Sequence, residues 1–298
     1  MLFERHKRLL GLLDALGGQV GKLDFQKLLF LYCHEVEDKP SYEFVPYKYG
    51  GFSFTSYDDK RRLVNQGLIE AEDGAWKITQ AGQKAATIPS STRVAMHQFA
   101  QKYSNLRGDP LVAETYRRFP FYAIRSEIAG RVLTNDPLAV LAIEAVRPLV
   151  QKAGMLTIGY EGRSLEAYLN VLLRQGVTRL CDVRRNAFSH KYGFSKNTLR
   201  KGCEGVHIKY EHLPELGIPS EKRKTLETRS DYANLFAIYE QEMLPMQSPA
   251  LERIRKWVDE GDRVALTCFE RAPDECHRHS VANELQRRWG KSLAPCHL

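Results

Sequence analysis

The chain has 298 residues, 43% hydrophobic and 27% charged, which excludes wholesale disorder and leaves room for two domains of about 150 residues, each with its own core. Its longest apolar runs, such as Leu138–Ile143, fall far short of the roughly 20 residues that cross a bilayer, so no membrane partner is expected. The formal net charge of +8 is spread along the chain, with 20 basic against 17 acidic residues in 1–150 and 24 against 19 in 151–298; that suits nucleic acid or a phosphorylated nucleotide.

Before any apolar stretch come Glu4, Arg5, His6, Lys7 and Arg8, which speaks against a secretory leader and for a cytoplasmic protein. Leu9, Leu10, Leu12, Leu13 and Leu16 then recur at helical spacing until Gly17-Gly18, and Leu23, Lys27, Phe30 and Leu31 mark a second helix. Tyr42–Phe54 is dense in aromatics and broken by Gly50-Gly51. Ser56 or Thr55 is the expected cap of a third helix, with Asp58 and Asp59 in its first turn. Leu68–Ile78 reads as a hairpin turning at Asp73-Gly74, and Thr79 as the cap of a short helix. Helices followed by a hairpin have the order of a winged helix, here over 1–88. Lys60, Arg61 and Arg62 on the third helix, with Lys48 before it, are then its candidate nucleic-acid contacts. Residues 89–153 read as a helical extension, cut at Gly108-Asp109-Pro110, Pro120 and Asn135-Asp136-Pro137.

From Gly154 onward, strands alternate with helices. Met155–Ile158, Thr178–Val183, Val206–Tyr210 and Arg263–Cys268 are the expected strands, and 165–174, 195–202, 231–244, 249–259 and 277–289 the helices, the first of them capped by Ser164. This pattern predicts a Rossmann-like α/β domain over 154–298 with a mainly parallel sheet. Ligands of such sheets lie beyond the C-terminal strand ends, where the sequence places Tyr160, Glu161 and Arg163, then Asp182, Arg184 and Arg185, then Cys268 and Glu270.

Each group has a chemistry. Arg184 and Arg185 can grip phosphate and Asp182 a sugar hydroxyl, with a salt-bridged strand end as the alternative. Ser189, Lys191 and Phe194 belong to a basic and aromatic loop suited to a base and its phosphate. Glu161 or Glu270 can serve as general acid or base, or stabilise an oxocarbenium-like sugar. Cys268, Cys276, His277 and Arg278 admit three readings: a metal site, a reactive thiol with His277 as base and Arg278 as anion holder, or buried thiols beside an anion-binding helix start. The third is preferred over the other two, so no metal and no cofactor is expected. With no regular cysteine framework, a reduced interior is the simpler reading.

Residues 155–292 resemble the family called domain of unknown function 488. The resemblance rests on Thr157-Ile158-Gly159-Tyr160-Glu161, Asp182-Val183-Arg184, Ser189 with Tyr192-Gly193-Phe194-Ser195, His212–Gly217, and Leu266–Glu270 with Cys276-His277-Arg278. It implies the α/β fold and the cleft residues more than a reaction. Residues 1–88 look similar to winged-helix regions of the YwgA and Panacea (SocA-like antitoxin) type, through Lys22–Phe30, Tyr47–Ser53 and Gly67-Leu68-Ile69; the usual Gly-Pro is Gly50-Gly51 here. That resemblance implies regulatory or nucleic-acid-associated work.

The expected function is therefore a nucleic-acid-associated protein, on DNA rather than RNA, whose C-terminal cleft binds a nucleotide or base and acts on it by glycosidic-bond or base-directed chemistry, in DNA modification, repair or phage defence. Tyr160 would stack on the base, and a second copy or another protein could dock through the N-terminal domain. The rivals are a non-enzymatic, antitoxin-like regulator that senses a nucleotide, and a thiol- or metal-dependent enzyme on a small molecule.

Overall fold

The computed structural model describes residues 2–70, 74–223 and 228–298, and the chain divides into two compact units at Arg147/Pro148. In the first, α1 (Glu4–Ala15), β1 (Gln19–Gly21) and α2 (Lys22–Glu35) lead to the short hairpin β2 (Val45–Tyr47) and β3 (Gly50–Phe52). Then follow α3 (Phe54–Asn65), β4 (Ala75–Lys77), α4 (Gln80–Ala85), α5 (Ser90–Lys102), α6 (Gly108–Arg118), α7 (Ala129–Val132) and α8 (Pro137–Ala145). β1 pairs antiparallel with β4, and Ile69 bridges Ile78. The arms of the expected hairpin thus meet, while Ala71, Glu72 and Asp73 of its turn lie outside the described residues.

Thr79 caps α4 as expected, through Gly82 N–H at 3.0 Å. The cap of α3 is Ser53, two or three residues before the expected position; its hydroxyl accepts from Ser56 N–H. The stretch read as an extension belongs to this unit as far as Arg147 and adds to its core. Met96, Phe99, Tyr103 and Leu111 pack in one cluster with Leu9, Leu28 and Trp76, because their apolar faces would otherwise stand in water.

The second unit holds β5 (Gly154–Gly159), α9 (Leu165–Arg174), β6 (Arg179–Asp182), α10 (Lys196–Gly205), β7 (Lys209–His212), α11 (Arg229–Ile238), α12 (Ser248–Asp259), β8 (Arg263–Cys268), α13 (Arg278–Trp289) and β9 (Pro295–His297). Its five strands form a sheet of order β7-β6-β8-β5-β9, every pair parallel. The α/β class and the parallel sheet of this unit are the expected ones. β7 begins three residues later than its sequence suggests, since α10 runs to Gly205 and His207 turns the chain with φ at 62°. β9 was not expected; three residues are too few to carry a period.

From β5 the chain steps over one place to β6, moves on to β7, then returns to lay β8 between β5 and β6. Right-handed crossovers put helices reached in opposite directions on opposite faces. α9 and α10 accordingly cover one face, while α11, α12 and α13 pack on the other with Met155, Cys181, Val183, Val264, Leu266 and Cys268. The reversal at β8 opens the sheet at its C-terminal edge.

Candidate functional site

The loops leaving β5 and β8 cross tightly at that edge. Glu161 N–H donates to the Phe269 carbonyl at 2.9 Å, and Arg271 N–H to Glu161 Oε2 at 3.0 Å. A Cβ at Gly159 would stand 1.8 Å from the Glu270 carbonyl oxygen, so only glycine admits this approach. Glu161 therefore braces two loops.

On the α9 face, the strand ends form a closed knot. Arg184 donates from Nε to Asp182 Oδ1 at 2.8 Å and from Nη2 to Oδ2 at 2.5 Å, while Nη1 reaches the Tyr160 hydroxyl at 2.8 Å. Tyr210 Oη donates to Asp182 Oδ2 at 2.7 Å. Burial works against the Arg184 charge, but the Asp182 carboxylate more than offsets it and holds the guanidinium above its usual range. Burial, then the Asp182 charge, pushes the Tyr210 phenol well up. The Tyr160 ring stacks on Phe194 at 4.3 Å and 8°, and all of these residues are buried. The salt-bridged alternative thus describes Asp182 and Arg184. Tyr160 and Phe194 stack on each other, which occupies the face expected for a base.

The loop around this knot is held by its own polar groups. Ser189 accepts from Lys191 N–H at 3.2 Å and donates its backbone N–H to Ser195 Oγ at 3.1 Å. Lys191 Nζ donates to the Tyr160 carbonyl at 3.2 Å, and partial burial lowers its pKa. Arg185 remains exposed, with a long contact to the Pro214 carbonyl.

Asp182 pairs in register with Thr267, so the next residue along β8, Cys268, points to the opposite face. There Cys268 Sγ and Cys276 Sγ lie 3.9 and 4.0 Å from His277 Nδ1. His277 Nε2 is 2.9 Å from the Val183 carbonyl. A carbonyl only accepts, so Nε2 carries the proton and Nδ1 turns its lone pair toward both sulfurs. Burial pushes the Cys276 thiol well up, which leaves it little free thiolate at neutral pH and weakens Cys276 as a nucleophile. Arg278, fully buried, donates to the Glu270 and Arg271 carbonyls. It shapes the loop after β8.

Beside this cluster opens a cleft of about 780 Å³ lined by Tyr232, Phe236, Glu240, Phe269, Glu270, Asp274, Glu275 and His279, with Thr228, Ala233 and Ala237. At its foot a cavity of about 20 Å³ shares Tyr232, Phe236, Glu270 and Glu275 with the cleft and touches Cys276 and His277. Glu270 Oε2 is buried there with no hydrogen-bond partner among the described residues. Phe269 and Tyr232 are 42% and 44% exposed, so their rings remain available. Near the loop after β8, Arg163 is depressed by burial and by the charges of Arg271 and Arg278, which marks a corner where like charges crowd.

The candidate residues thus share one sheet edge but divide between two faces. Glu270, Cys276 and His277 meet at the cleft with Cys268 behind them. Asp182, Arg184, Tyr160 and Phe194 form the knot on the other side. Sequence reasoning missed Tyr232, Phe236 and Glu240, whose i, i+4, i+8 spacing was the available signal. In the first unit the candidate nucleic-acid contacts are engaged by their own chain. Arg61 and Arg62 pair with Asp58, Lys48 with Glu127, and Lys60 donates to the Ala75 carbonyl.

A parallel α/β domain with a carboxylate-lined, aromatic-walled cleft at its C-terminal strand ends is the class that fold and site define. The family model described as Domain of unknown function DUF488 matches residues 164–285, from the cap of α9 into α13, and so spans the thiol cluster, the lining of the cleft and the knot apart from Tyr160. No curated protein matches the chain.

Proposed function

We propose that the C-terminal domain is the base-binding and base-directed catalytic half of a nucleic-acid-associated enzyme. The lining of the cleft is the observation that carries this reading. Four carboxylates, from Glu240, Glu270, Asp274 and Glu275, stand among three aromatic rings, with His279 the one lining group of basic type among the described residues. Such a lining repels phosphate, since like charges within a few ångströms cost free energy that water cannot screen in a cleft. It favours a flat heterocycle instead. Aromatic faces stack on any base, and carboxylates accept hydrogen bonds from the exocyclic amino groups of cytosine, adenine and guanine. Phosphate then belongs outside the cleft, where Arg163 and Arg271 crowd and an anion would relieve their repulsion.

Within this reading Glu270 is the acid/base residue, because its Oε2 stands buried and unpaired at the foot of the cleft. Asp182, Arg184, Tyr160 and Arg278 keep the strand-end loops in place. The test is binding of a short single-stranded oligonucleotide by the intact chain. Phe269→Ala and Tyr232→Ala should each weaken it by about 1–3 kcal/mol, the usual cost of a lost base-stacking partner. Unchanged binding in both variants overturns the reading.

A further inference from the structure

We infer that Cys268, Cys276 and His277 form a zinc site whose fourth position opens onto the foot of the cleft. All three ligand atoms lie within 4.8 Å of one another and all three residues are buried. The adjacency of Cys276 and His277, which in a regular helix would point them apart, is resolved by the backbone. Cys276 is extended, with φ −139° and ψ 134°, and His277 turns into the helical region at φ −55° and ψ −14°. That change of direction swings both side chains toward Cys268 at the end of β8.

The distances fit. Zinc binds sulfur at about 2.3 Å and imidazole nitrogen at about 2.0–2.1 Å, which in a tetrahedron sets sulfur and nitrogen about 3.6 Å apart. The two sulfur–nitrogen separations here, 3.9 and 4.0 Å, would close by a few tenths of an ångström. The imidazole is already oriented for the task. Its Nε2–H donates to the Val183 carbonyl at 2.9 Å, the outer hydrogen bond that fixes the tautomer of metal-binding histidines and raises the basicity of the other nitrogen.

Three protein ligands leave a tetrahedral ion one position short, the arrangement of catalytic rather than structural zinc. The small cavity touching Cys276 and His277 has about 20 Å³, enough for one water. Two thiolates and a neutral imidazole make a soft donor set that selects zinc over magnesium or calcium. Glu270 and Glu275 on the same cavity wall supply negative charge that favours a dication. The site stands apart from the base-binding reading, since zinc uptake and nucleoside binding are measured separately.

The test uses the full chain under a non-thiol reductant, loaded with zinc chloride, dialysed and analysed for metal. The expected result is one equivalent of zinc. Cobalt in its place should give a thiolate-to-metal charge-transfer band, and zinc should shield Cys268 and Cys276 from alkylation in peptide maps. Cys268→Ser and Cys276→Ser should each fall below a tenth of an equivalent, while Cys181→Ser, a buried thiol elsewhere, keeps its zinc. Less than a tenth of an equivalent in the loaded parent overturns the site. So does equal alkylation of Cys268 and Cys276 with and without zinc, a readout that needs no variant to fold.

Discussion

Arg184 closes on Asp182 from only two residues further along the chain, through Nε at 2.8 Å and Nη2 at 2.5 Å, with both side chains buried. The pair is a clasp at the end of β6. Its carboxylate also takes the Tyr210 hydroxyl, and its guanidinium the Tyr160 hydroxyl. Side chains from β7, from the end of β6 and from just beyond β5 are thereby joined through one ion pair, across the position that β8 takes in the sheet.

Removing one partner of such a pair strands the other charge in the interior. Asp182→Ala should therefore destabilise the second unit by about 3–5 kcal/mol, read as a lower denaturant midpoint. Tyr210→Phe removes one hydrogen bond to a charge and should cost about 1.5–3 kcal/mol. A loss below 1 kcal/mol in Asp182→Ala would show that the clasp is not a structural element.

The first unit buries an amine that meets no carboxylate among the described residues. Lys27 lies 2% exposed, with Nζ donating to the Gly51 carbonyl at 2.9 Å, and burial lowers its pKa to about 7 from 10.5. Between those values the unfolded chain holds a proton that the folded chain has released, so stability should rise as pH increases from 7 to 10. Below pH 7 both states are protonated and the penalty is fully present. Lys27→Met removes the titration. The parent should gain a few kcal/mol relative to this variant across the window, measured by chemical denaturation at several pH values. Parallel curves for the two proteins would contradict the burial of a titrating amine.

Gly159 sets the spacing of the loops that frame the cleft. A methyl group there meets the Glu270 carbonyl oxygen at 1.8 Å, and backbone cannot yield as a flexible side chain does. Gly159→Ala should cost more than the usual 1–3 kcal/mol of an overpacked core and should shift Glu270, lowering affinity for any cleft ligand. Wild-type stability in this variant would disprove the close approach.

Much of the second unit was legible in its sequence. Met155–Ile158 and Arg263–Cys268 are apolar runs bounded by polar residues, and Ser164 caps α9 through Ala167 N–H at 3.0 Å as its position before an apolar stretch suggests. The polar strand ends were equally plain. Their division between two faces was not, because it depends on β8 entering between β5 and β6, a non-local pairing without local signal. The alternation of Asp182 and Cys268 follows only once their register is known. Tyr232 and Phe236 were hidden for a different reason. Their helical spacing reads equally well as a core stripe, and only the fold shows that this stripe faces a cleft.

The most direct measurement compares ligands that separate base from phosphate, titrated into the intact protein by calorimetry. Cytidine and adenosine should bind, uridine more weakly for want of an amino group, and ribose 5-phosphate not at all. Tighter binding of ribose 5-phosphate than of any nucleoside would contradict a cleft that takes the base and leaves the phosphate outside.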